Sequence, residues 1–161
     1  MGRPQEGYNA RSAARLWAVQ ALYQMDIAKT DLQIIIDEFN MHRLDIPLED
    51  MDVPEADKAY FEKLLRGVFD HQREIDVKIN DALLNDWRLS NLDSTLRALL
   101  RAGGYEILFE SDVPPKVVIA EYTAMAHAYF EGAEAGMANA LLDRLAREHN
   151  QEHNQETPEP A

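Results

Sequence analysis

"LDSTLRALLRAGGYEILF", Leu92–Phe109, is the most apolar helical stretch of the chain. Leu96, Leu99, Leu100, Ile107 and Leu108 recur at the threes and fours that line one helical face. Gly103 and Gly104 sit inside that pattern. A glycine in a helix interior costs roughly 1 kcal/mol against alanine. Two in succession make sense where a neighbouring helix comes in close, so this stretch predicts a helix packed among other helices.

The same period extends in both directions, and no segment shows sustained period-two alternation. A first helix is predicted from about Asn9 to Ala28, with Ala14, Ala18, Ala21, Leu22 and Met25 on one face. Asp31 can cap a second helix carrying Ile34, Ile35 and Phe39. The acidic loop "LDIPLEDMDVPEAD" follows, and Pro54 stands where a third helix can begin. That helix, about Pro54 to Asp70, carries Phe61, Leu64, Leu65, Val68 and Phe69. A fourth, about Gln72 to Asn85, carries Ile75, Ile79, Ala82 and Leu83, and the polar "DWRLSNLD" separates it from the central stretch. "SDVPPKV" opens a sixth helix, with Asp112 as candidate cap and prolines in its first turn, and "MANALLDRLAREH" is a seventh. The fold class is therefore all-α, with about seven helices joined by short loops. The repetitive "EHNQEHNQETPEPA" reads as a frayed or disordered acidic tail over residues 150–161.

Composition narrows the function. The 161 residues have a hydrophobic fraction of 46%, enough to close a core. No cysteine is present, which removes disulfides, thiolate nucleophiles and cysteine zinc sites. No apolar run approaches the roughly 20 residues of a membrane span, and "MGRPQEGYNARSAAR" lacks the apolar core of a secretory signal. A cytoplasmic location is expected. The formal charge of -13 repels nucleic acid on average, but it is unevenly spread. Residues 1–29 net +2 from Arg3, Arg11, Arg15 and Lys29 against Glu6 and Asp26, whereas residues 31–60 net -7. A local basic surface at the chain's front is compatible with the acidic whole. Arg11 and Arg15, four residues apart, are expected on one face at the solvent edge of the first helix.

No catalytic constellation stands out. "HNQEH", His149–His153, has the H-x-x-E-H spacing of inverted zinc proteases. It arises from a tandem "EHNQ" in the polar tail, where nothing excludes water or supplies further ligands. His42, His71 and His127 are isolated from one another, and "AGG" lacks the lysine and the preceding strand of a phosphate loop. Neither an enzyme nor a bound cofactor is expected.

"ARSAARLWAVQALYQMD" resembles the first helix of the NusB family of bacterial transcription antitermination factors. "YFEKLLRGV", "WRLSNLDSTLRALLRAGGYEI", "SDVPPKVVIAEYTAMAHAYF" and "MANALLDRLA" resemble that family in the same order, over roughly residues 9–147. The closest similarity in character is to its alphaproteobacterial branch. The resemblance implies one NusB-like domain over residues 1–149, made of two packed small bundles at about 9–85 and 86–149. It implies a non-enzymatic factor that binds boxA-type RNA of ribosomal RNA operons together with the ribosomal protein NusE. It further implies action on the RNA polymerase elongation complex with other Nus factors, as a monomer or weak homodimer. The RNA-contacting positions it implies are Arg11, Arg15, Tyr23, Lys116, Met137 and Asn139. The sequence departs from the family at Ser12 and Ala13, inside an arginine run, and at Gly136 and Met137, where an aromatic is usual at the second position. Ala120 stands where Asn or Thr is common. These departures support a second reading, a protein-interaction scaffold with weakened RNA contact.

Overall fold

The computed structural model describes residues 9–44, 55–84 and 87–156. Its elements are α1 (Ala10–Ala28), α2 (Leu32–His42), α3 (Lys58–Ala82), a 3-10 turn (Leu89–Asn91), α4 (Ser94–Phe109), α5 (Pro115–Tyr129) and α6 (Glu134–Glu156). The described residues are all-helical, with six α-helices where the sequence reading gave about seven. The difference lies at His71. The third and fourth predicted helices meet directly at His71, whose backbone is non-helical (φ -117°, ψ 15°), and are counted together here as the kinked α3. The break in apolar pattern marks a kink and not a loop.

The chain divides into two compact units at that kink, Met1–Asp70 and His71–Ala161. In the first unit α1 packs on α2. Its aromatic core joins Trp17 of α1, Phe39 of α2 and Phe61 of α3, with Trp17 edge-on to Phe39 at 6.2 Å and Phe39 stacked on Phe61 at 5.6 Å. Asp31 caps α2 by accepting from the Gln33 N–H, as its position predicts. Pro54 and most of the acidic loop lie outside the described residues. The described start of α3 is capped by Asp57, whose carboxylate accepts from the Tyr60 N–H.

In the second unit α4, α5 and α6 pack against one another. Asp93 caps α4 through the Thr95 and Leu96 N–H groups. The tandem glycines carry out the close approach predicted for them, unequally. A Cβ on Gly103 would lie 3.1 and 3.2 Å from the two Leu142 methyls and 3.2 Å from the Tyr122 ring. A Cβ on Gly104 would meet Ile75 and Ile79 of α3 at 3.4 and 3.5 Å, ordinary contact. The residue before α5 is Pro114, with no side-chain cap bond, so Asp112 does not cap that helix, and Pro115 opens it instead. The tail reading needs a larger correction. Helix α6 runs on to Glu156, past the end expected near residue 149, and Lys78 Nζ grips Glu152 at 2.9 and 3.1 Å. Residues 157–161 lie outside the described part.

Candidate nucleic-acid interface

The front of α1 is built by three local devices. Asn9 and Ser12 form a reciprocal capping box: the Ser12 N–H donates to Asn9 Oδ1 at 3.0 Å, and the Asn9 N–H donates to Ser12 Oγ at 3.2 Å. The first turn carries no acidic side chain, so the partial positive charge of the helix N-terminus is not cancelled there. Finally, the Asp57 N–H donates to the Ala10 carbonyl at 3.0 Å, tying the start of α3 to the start of α1.

That tie sets Tyr60 beneath both arginines. The Arg11 guanidinium carbon lies 4.5 Å from the Tyr60 ring centroid, and that of Arg15 lies 5.4 Å from it. Both are inside the roughly 6 Å reach of a cation–π contact. The two arginines differ in exposure, however. Arg11 is exposed, whereas Arg15 is only 2% exposed. This overturns the expectation that both lie at the solvent edge. The reason is that α1 is buried around its circumference from Ser12 to Val19, so one turn carries a side chain from the surface to the interior. The sequence does contain that signal: no polar residue other than Arg15 interrupts the stretch from Ala13 to Val19. Tyr23, 38% exposed, lies on α1 about 18 Å along the axis from Arg11.

The other three positions belong to the second unit. Lys116 is exposed in the first turn of α5, Asn139 is exposed on α6, and Met137 is half-buried near the start of α6. Lys116 and Asn139 line one open groove between α5 and α6, about 520 Å³ in volume. Ile119, Ala120, Thr123 and Ala124 also line it, with His127 and Asp143. The small Ala120 side chain helps keep the groove open, and Met137 is not among its lining residues. Gly136 leaves open space where a side chain would stand. The structure therefore brings Arg11 and Arg15 together on Tyr60, and Lys116 and Asn139 together in the groove. Sequence reasoning missed Asp57, Tyr60, Thr123, His127 and Asp143. Tyr60 shares a helix face with Leu64, but its partners come from a different helix.

The NusB family profile matches residues 12–147. The chain belongs to the NusB family. It is 47% identical over 146 residues to the transcription antitermination protein NusB of Rhizobium rhizogenes, an alignment that covers 91% of each chain. Among solved structures, T. maritima NusB is 31% identical, with a TM-score of 0.74 over 92% of this chain and 99% of that one. A crystal structure of antitermination factors NusB and NusE in complex with dsRNA has a chain with the same fold. It is 22% identical, with a TM-score of 0.70 over 86% of this chain and 97% of that one.

The NusB-family assignment leaves the H-x-x-E-H string without a catalytic role. His149 and His153 share a face of α6, with ring centroids 5.6 Å apart. The intervening Glu152 is committed to Lys78. The hydrogen bond from Lys78 holds the Glu152 carboxyl below its usual pKa, and the same bond holds the Lys78 ammonium above its own. Among the described residues no group of three or more side chains could hold a metal ion. No described helix is long and apolar enough to cross a membrane.

Proposed function

We propose that this NusB-family protein is a non-enzymatic transcription antitermination factor. It binds boxA-type RNA of ribosomal RNA operons together with the ribosomal protein NusE, and it modifies RNA polymerase elongation alongside other Nus factors in the cytoplasm. The observation that carries the RNA reading is the front of α1. Arg11 is exposed at a helix N-terminus whose first turn holds no acid, which suits a phosphate. The α5–α6 groove, with Lys116 and Asn139 on its lining, offers a second cation and an amide able to read a base edge. RNA contacts divide in this way, charge fixing position while exposed bases are stacked or read at their edges. The solved complex of NusB, NusE and dsRNA supports the choice of partners.

A second reading, a scaffold with weakened RNA binding, gains from one observation. Arg15 is buried, so the front of α1 offers RNA one exposed arginine among the described residues, not two. Titration of a fluorescent boxA RNA separates the two readings. The antitermination reading expects weak binding by the protein alone and clear tightening when NusE is added. Equal, negligible binding in both titrations would leave the scaffold reading standing.

A further inference from the structure

We infer that Tyr60 is a positioning residue that holds the guanidinium of Arg11 in place for an RNA phosphate. The inference rests on the RNA-binding reading above and adds to it a residue from another helix. Tyr60 is only 4% exposed and stands in the first turn of α3. Two hydrogen bonds fix its place relative to α1: Tyr60 N–H to the Asp57 carboxylate, and Asp57 N–H to the Ala10 carbonyl, each 3.0 Å long. Ala10 immediately precedes Arg11. The ring is therefore anchored by backbone bonds on either side of the contact, while the guanidinium over it, 4.5 Å away, is exposed.

The geometry matters because of how a guanidinium binds. Its N–H donors lie in its own plane and its face is weakly hydrated. An aromatic ring can cover that face while the edge donors stay available for phosphate oxygens. A free surface arginine loses rotamer freedom when it grips a phosphate, and one already resting on a ring has lost part of it. The buried Arg15, 5.4 Å from the same ring, sits on the protein side of this arrangement. Its role is to support the platform.

The test is a set of variants read by RNA affinity, by salt dependence and, without RNA, by NMR. Tyr60→Phe keeps the ring and should bind boxA RNA in the presence of NusE like the parent, within about twofold. Tyr60→Leu should bind about three- to tenfold more weakly, the range set by freeing one long side chain, with the salt slope unchanged because the phosphate contact survives. In an Arg11→Ala background, Tyr60→Leu should cost nothing more. Arg11→Lys, which keeps the charge at an exposed position but lacks a flat face, covers the case in which Tyr60→Leu does not fold. It should lose affinity by the same factor at unchanged slope. Parent-like binding by Tyr60→Leu or Arg11→Lys, or an equal loss with and without Arg11, overturns the inference. A protein that binds no RNA refutes the proposed function. The positioning is then judged on the free protein: ring-current shifts on the Arg11 side-chain protons should persist in Tyr60→Phe, and their absence from the parent overturns it.

Discussion

Replacing each of the tandem glycines by alanine should give different results, although the two are adjacent in one helix. At Gly104 an alanine methyl would stand 3.4 Å from Ile75 and 3.5 Å from Ile79, at normal van der Waals distance. The helix gains roughly 1 kcal/mol from the exchange, and burial of the methyl adds up to about 0.8 kcal/mol. Gly104→Ala should thus stabilise the protein by about 1–2 kcal/mol, or about 2–8 °C in Tm. At Gly103 the same methyl would be 3.1–3.2 Å from both Leu142 methyls and the Tyr122 ring. Leu142 and Tyr122 are fully buried, and the Tyr122 hydroxyl is held by Glu106, so neither neighbour yields easily. The crowding offsets the helix gain, and Gly103→Ala should bring no stabilisation. Gly103→Leu, with three more carbons in the same space, should cost on the order of 1–3 kcal/mol or more. Urea denaturation followed by circular dichroism reads all three as shifts in midpoint at constant slope. An unchanged midpoint for Gly103→Leu, or a stabilised Gly103→Ala beside a destabilised Gly104→Ala, would refute the packing argument.

Arg15→Ala should destabilise the folded state by about 2 kcal/mol or more in the same assay, since a buried stem and a ring contact are lost. Arg11→Ala should change stability by no more than about 1 kcal/mol, the worth of an exposed cation–π contact. The Lys78–Glu152 pair should steady the last turns of α6 across neutral pH. Its contribution is present below the ordinary lysine pKa of 10.5 and lost as pH rises through the raised folded value. At the other end it is present above the ordinary carboxyl value of 4.5 and lost as pH falls through the lowered folded one. Amide exchange in α6 should be faster in Glu152→Gln than in the parent at pH 7 and equal to it in strong acid; equal exchange at pH 7 would remove the pair's role. Met137→Phe should tighten boxA binding by up to about 1–3 kcal/mol through base stacking, and a parent-like titration would show that this half-buried position does not face a base.

The helical class and most helix positions are legible in the sequence because the apolar period is strong in every unit-building helix. Asp31 and the tandem glycines reveal themselves through local chemistry, a cap and a propensity cost. Kink and loop were not distinguishable at His71. Both interrupt the apolar face, and the choice is made by tertiary contact: the His71 ring stacks on Phe109 of α4 at 4.1 Å. The end of α6 is hidden from the sequence for a similar reason. "EHNQEHNQE" has no apolar face, and Lys78, whose ammonium pairs with Glu152, is far away in sequence. At the candidate site, spacing correctly placed Arg11 and Arg15 one turn apart. It could not show that α1 is enclosed by its neighbours at the second turn, nor that Tyr60 would arrive from α3.

In the proposed function, RNA is held at the exposed front of α1 through Arg11. The most direct test is the salt dependence of boxA RNA binding, with NusE present, for the parent and for Arg11→Ala. The variant should bind more weakly, with a salt slope smaller by roughly 0.7, the value of one contact to a single strand, and with the folded state intact. Unchanged affinity and unchanged slope in a folded Arg11→Ala protein would contradict the proposal.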